Sequence, residues 1–232
     1  MIEELIATGE ITVEGRLVDA SNATLFVTIQ GEHGEMKAIY KPIAGERPLW
    51  DFPDGNLASR ERAAYVISQA LGVHCVPLTI LRDGPFGVGA VQEWIDIDES
   101  VDLEIYFREN RPELRKVALF DAIINNTDRK IGHLLPRTDG SLLVCDHGVT
   151  FHVESKLRTV LWQWAGVELA EAERELIEKL LVKIENQEIE ELPELITQEE
   201  ISALRNRCEA LLDENSFPEP NPEWPHIPWP PF

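Results

Sequence analysis

The segment Asn125 to Gly148, NNTDRKIGHLLPRTDGSLLVCDHG, constrains this chain more than any other. An apolar helix runs into it through Val117, Ala118, Phe120, Ile123 and Ile124, and the polar loop Asn126-Thr127-Asp128-Arg129-Lys130 follows. Two short apolar runs come next, His133-Leu134-Leu135 and Ser141 to Cys145, joined by the turn Arg137-Thr138-Asp139-Gly140. Pairing of these runs predicts a small hairpin with Asp128 at one mouth and Asp146 at the other. Close carboxylates repel and shift each other's pKa unless a cation sits between them. The stretch therefore predicts a cation-dependent site.

A chain of 232 residues can bury one sizeable core, or pack a small lobe on a larger one. Its net charge of −21 argues against nucleic acid, whose phosphates demand a basic surface. The same charge argues against docking on an anionic membrane. A polyanionic nucleotide would bind only where local cations and metal overcome that field. No apolar run approaches the roughly 20 residues that span a bilayer, so no membrane insertion is expected. The start, Met1-Ile2-Glu3-Glu4-Leu5-Ile6, carries acid where a signal peptide carries base, so export is not expected. Three cysteines without metal-type spacing suit free thiols in a reducing cytosol, and a cytoplasmic location is expected.

Residues 10–41 read as three strands, with the loop Asp19-Ala20-Ser21-Asn22-Ala23 at a hairpin tip. Backbone N–H groups around Ser21 and Asn22 could cover phosphates there. Lys41 ends the third strand. A helix is predicted over about Leu57 to Leu71, with Glu61 early in it and able to orient the lysine; Glu46 is a second candidate partner. Strands are predicted over 76–81 and 87–95, joined by a turn at Arg82-Asp83-Gly84-Pro85. That makes a five-stranded sheet plus one helix, with Glu93 to Ile95 lining the back wall of a crevice.

The remainder reads as mainly helical, with helices near 103–109, 112–125, 168–186 and 197–213. Pro112 stands where a helix start tolerates it, and Thr197 with Glu200 forms a capping box. The expected class is α+β: a β-rich nucleotide-binding lobe over 1–95, a helical lobe with the two loops over 96–213, and a proline-rich tail over 214–232.

In chain order the candidates form a set suited to phosphoryl transfer. Lys41 would neutralise the non-transferred phosphates and Glu61 would hold it. Asp128 would accept the proton of an attacking hydroxyl. Lys130 would stabilise charge on the transferred group, and Asp146 would bind Mg²⁺ as a hard oxygen ligand. A rival reading takes His133, Cys145, Asp146, His147 and His152 as a transition-metal cluster.

Tyr40-Lys41-Pro42, Asn126-Thr127-Asp128-Arg129 and Cys145-Asp146-His147-Gly148 together resemble the lysine, catalytic-loop and metal-binding motifs of the phosphatidylinositol 3-/4-kinase-like superfamily. The chain is similar to type II phosphatidylinositol 4-kinases and their small bacterial relatives over roughly residues 15–165. The resemblance implies a bilobal protein-kinase-like fold, with ATP and Mg²⁺ or Mn²⁺ as cofactors. It also implies a Ser21-Asn22 turn over the nucleotide, and a counterpart of the family's aromatic residues in Trp162 and Trp164. His133 stands where the family has a metal-binding Asn, and imidazole is a softer ligand than an amide oxygen. The acceptor implied is a protein or small-molecule hydroxyl. Phosphatidylinositol, AMP transfer and a non-catalytic nucleotide-binding module stay open as alternatives.

Overall fold

The computed structural model describes residues 2–17, 22–32 and 34–232. Helix α1 (Ile2–Thr8) opens the chain and was not expected from the sequence. It is short and acidic, but Leu5 and Ile6 are buried against the sheet, so packing rather than propensity holds it. Ser21 lies outside the described residues.

Five antiparallel strands follow: β1 (Glu10–Arg16), β2 (Leu25–Gly31), β3 (Gly34–Pro42), β4 (Thr79–Gly84) and β5 (Gly87–Glu93). Their order is β1-β2-β3-β5-β4, and β3 sits at the centre. Alternation along β3 sends Ala38 and Tyr40 into the core beneath α1, and so sends Lys41 to the other face. The turn expected at Arg82 to Pro85 is displaced. Strand β4 runs on to Gly84, which pairs with Gly87 across a two-residue turn, and Gly87 adopts φ +89°.

Helix α2 (Leu57–Leu71) has the bounds the apolar period predicts. Asn56 caps its start through Ser59 N–H, and Gly72 ends it at φ +84°. Its apolar side, Ala63, Ala64, Val66, Ile67 and Leu71, belongs to the larger core, which it shares with the helices that follow. Sheet and helical region are therefore bridged by this helix.

The helical region comprises α3 (Leu103–Tyr106), α4 (Pro112–Ile124), α5 (Glu171–Glu185), α6 (Leu192–Leu195) and α7 (Gln198–Glu214). The capping box at Thr197 and Glu200 is present. Glu200 also pairs with Arg60 of α2, whose guanidinium donates to Thr150 O at 2.9 Å. Between α4 and α5, a single 3₁₀ turn (Ile131–His133) leads into the hairpin β6 (Leu134–Pro136) and β7 (Leu142–Val144). His133 thus belongs to the turn, not to the strand. The tail past α7 runs back over the helical region. No helix among the described residues is long and apolar enough to cross a membrane.

Candidate active site

Helix α4 ends at Asn125 in the left-handed conformation, and its side chain ties the chain beyond Phe151 by donating to His152 O and Glu154 O. Asn126 and Arg129 then turn inward. Arg129 and Asp121 of α4 are both fully buried and joined through several bonds, with Nη2 to Oδ1 at 2.9 Å. The same guanidinium donates to Cys145 O at 2.7 Å and to His147 Nε2 at 2.8 Å. One arginine therefore fastens the Asp128 loop to α4, to the end of β7 and to the Asp146 loop. Asn126 completes the brace: Nδ2 donates to Asp121 at 3.0 Å, and Oδ1 accepts from Asp128 N–H at 3.0 Å.

With both loops pinned, a cavity of about 290 Å³ opens between sheet and helices, lined by Lys41, Glu61, Asp128, Lys130, His133 and Asp146. Asn22, Glu46 and Phe232 also reach it. Cavities of about 470 and 350 Å³ elsewhere in the helical region contain none of these groups.

Lys41 ion-pairs with Glu61, and its Nζ lies 3.0 Å from Asp146 Oδ1. Burial opposes the charge on Lys41, but Asp146 and then Glu61 outweigh it and hold its pKa above that of an ordinary lysine. The ammonium in turn holds the Asp146 carboxyl well below the usual carboxylate range. Asp146 sits at φ +61°, a conformation that asparagine and aspartate tolerate better than most residues. The other oxygen of Glu61 accepts His147 N–H at 3.1 Å, so α2 and the Asp146 loop are clamped together. Gly148 permits that approach: a Cβ there would lie 3.1 Å from Leu57 Cβ.

The other side of the cavity is looser. Asp128 Oδ2 is 3.5 Å from Lys130 Nζ. Burial raises the Asp128 pKa and Lys130 pulls it back only in part. His133 Nδ1 accepts Lys130 N–H at 3.3 Å, which leaves the imidazole proton on Nε2, 3.4 Å from Asp146 Oδ2. Burial lowers the His133 pKa to about 4, so the ring is neutral at physiological pH. In this tautomer the Nε2–H side of the ring lies toward Asp146, and Nε2 has no lone pair to offer a metal.

Three other expectations change. Glu46 does not pair with Lys41; its carboxylate accepts Leu57 N–H and Ala58 N–H at 2.9 and 2.8 Å and caps α2. Glu93 and Ile95 do not line this cavity. Glu93 pairs with Ala38 in register, which puts it on the sheet face opposite Lys41, and Ile95 lies beyond the end of β5. Nor do the histidines and Cys145 converge as transition-metal ligands. His147 is bonded to Arg129, His152 Nδ1 accepts Glu154 N–H at 3.0 Å, and burial pushes the Cys145 thiol up to about 12. The brace formed by Asp121 and Arg129 was missed in the sequence. Its signal was an aspartate inside the apolar run Leu119-Phe120-Asp121-Ala122-Ile123, which requires a buried partner.

No protein-family model matches the sequence. Protein Rv2133c of Mycobacterium tuberculosis is 41% identical over 263 aligned positions, covering 98% of this chain and 94% of that protein. The chain belongs to the Rv2133c family. Among solved structures, the Golgi casein kinase with Mn/ADP bound superimposes with a TM-score of 0.57 at 11% identity, over 92% of this chain and 74% of that one. Hydra Fam20 with sugar superimposes with a TM-score of 0.54 at 12% identity, over 91% and 86%. At such identities the similarity concerns the fold. This member of the Rv2133c family has the α+β, bilobal, kinase-like architecture, with an antiparallel sheet on one side and helices on the other.

Proposed function

We propose that the chain is an ATP-dependent kinase, transferring the γ-phosphoryl group to a hydroxyl. The observation that carries the reading is Lys41, bonded at once to Glu61 and to Asp146, with Asp128 facing the same cavity. The motif order resembling phosphatidylinositol 3-/4-kinase-like enzymes supports it, as does a fold similar to that of a kinase determined with Mn/ADP. The nucleotide would be held by residues 1–95, the chemistry would come from 96–213, and 214–232 would form the tail.

In this reading Lys41 neutralises the phosphates that stay with the leaving nucleotide, and Glu61 keeps its ammonium oriented. Asn22, whose Oδ1 accepts Arg47 N–H at 2.9 Å, sits at the cavity mouth beside them. The acceptor hydroxyl oxygen attacks the γ-phosphorus as the bond to the β–γ bridging oxygen breaks, and ADP leaves. The hydroxyl proton passes to Asp128, whose raised pKa makes it a better proton acceptor than an ordinary aspartate. Lys130 faces the charge on the transferred group.

The donor set fits Mg²⁺ or Mn²⁺ through Asp146, kept ionised by Lys41, with the substrate phosphates and water as the remaining oxygen donors. Mg²⁺ usually binds to one or two carboxylates plus substrate phosphates, not to a complete protein cage. The metal would neutralise charge on the phosphates. His133 fits as a neutral neighbour of Asp146 rather than as a ligand.

ATP consumption with Mg²⁺ or Mn²⁺, compared between wild type and Asp128→Asn, tests the reading. Loss of γ-phosphate transfer in the variant supports it. Equal, background turnover in both with MgATP still bound means a non-catalytic nucleotide-binding module, and α-labelled product means AMP transfer.

A further inference from the structure

The tail does not simply cover the helical region. Trp224 lies under two cations, with Lys156 Nζ 5.5 Å and the Arg158 guanidinium 5.2 Å from its ring centre. His226 O then accepts Thr159 N–H at 3.0 Å and the Trp162 indole N–H at 2.9 Å. Pro228 is buried. Five residues after His226, Pro231 O accepts Ile131 N–H at 2.9 Å. Phe232 follows at once, its ring 3.7 Å from where a Cβ on Gly132 would stand, and reaches the cavity that holds Asp128 and Lys130.

Both main-chain donors belong to the Asp128 neighbourhood, where Arg129 and Thr159 form a parallel bridge. Backbone N–H groups hold a peptide by its carbonyls whatever its side chains. Prolines at 225, 228, 230 and 231 remove the segment's own competing donors, and the chain bends at 227, 229 and 230 between the two anchored carbonyls. The track therefore has three parts: a cation–aromatic anchor, two spaced N–H donors, and a position at 232 on the rim of the cavity that Asp128 lines.

We propose that the acceptor of this site is a polypeptide segment held by its main chain, and that residues 224–232 occupy its track within the same chain, with the side chain at 232 in the acceptor position. The inference rests on the kinase reading above. In that position a hydroxyl would attack the γ-phosphorus of ATP, lose its proton to Asp128 and release ADP. Phenylalanine has no such hydroxyl, so the bound tail blocks the site and must leave before another segment enters.

The test places a hydroxyl there. The full chain carrying Phe232→Ser, incubated with γ-labelled ATP and Mg²⁺ or Mn²⁺, should incorporate label at position 232. Peptide mapping should show at least tenfold more label there than in Phe232→Ala. The rate should be independent of protein concentration, and adding Asp128→Asn should abolish it. Amide exchange in the wild-type chain should show Ile131 and Thr159 protected, and Trp224→Ala should speed exchange at both.

Unprotected Ile131 and Thr159 in wild type would overturn the docked tail. Label passing to water, other residues or phosphatidylinositol vesicles, with none at position 232, would overturn the acceptor assignment while leaving the kinase reading intact. Absence of both MgATP binding and γ-phosphate release in every variant would overturn the kinase reading itself, and this proposal with it.

Discussion

The two sides of the cavity are built differently. On the sheet side, Lys41, Glu61 and Asp146 are locked by ion pairs, and Glu61 holds the Asp146 loop through His147 N–H. On the helical side, the Asp128 carboxylate has, among the described residues, only a long contact to Lys130, and its side chain is a third exposed. The backbone beneath Asp128, however, is firmly held through the buried pair Asp121–Arg129. A charge that must only be neutralised can be gripped by its partners. A carboxylate that must take a proton needs a fixed position but few bonds to its oxygens, since each bond to the ionised form makes it a weaker base.

The comparison is broken most severely at Asp128. Asp128→Asn should lower phosphoryl transfer by about 10²–10⁴-fold and leave MgATP affinity within a few-fold, read by turnover and by titration calorimetry. Lys41→Met should show the reverse emphasis, with nucleotide affinity lost along with turnover. If both variants lose affinity equally, the two sides do not differ in the way described.

Next in size is the brace. Asp121→Ala leaves Arg129 buried without its counter-charge, which should cost about 3–5 kcal/mol of stability, read as a lower urea midpoint. Asp128→Asn, which touches no buried pair, should leave that midpoint nearly unchanged.

The pH profile sharpens the contrast. The base works only when deprotonated, so turnover should fall as pH drops through the Asp128 pKa, which burial lifts above an ordinary aspartate. Asp146, held well below the usual range, stays ionised throughout and adds no limb on that side. An acid limb at or below an ordinary aspartate's pKa would contradict the assignment. The smallest effect belongs to Glu46. Removing the cap in Glu46→Ala should destabilise α2 by about 1 kcal/mol, with turnover nearly preserved, because Glu46 serves the helix and not the lysine.

Much of this was legible along the chain where the signal was local. Helix α2, the β6–β7 hairpin and the capping box at Thr197 each depend on periodicity or on residues three apart. The pairing of Lys41 with Glu61 was one of two the sequence offered, Glu46 being the other. Helix α1 was not legible, because seven acidic-leaning residues carry no helix signal until the sheet beneath them exists. Glu46 went astray because a carboxylate suits an ammonium and two helix N–H groups equally well, and only distance chooses between them.

From its order of residues alone, this protein was committed to two acidic loops around a hairpin, a lysine at a strand end and a helix of fixed length. These follow from side-chain chemistry and backbone periodicity within a few turns of chain. Tertiary structure decided that Asp146 meets Lys41 and where residue 232 comes to rest. Those outcomes depend on groups about a hundred residues apart competing for the same few ångströms, and no local pattern encodes who arrives first.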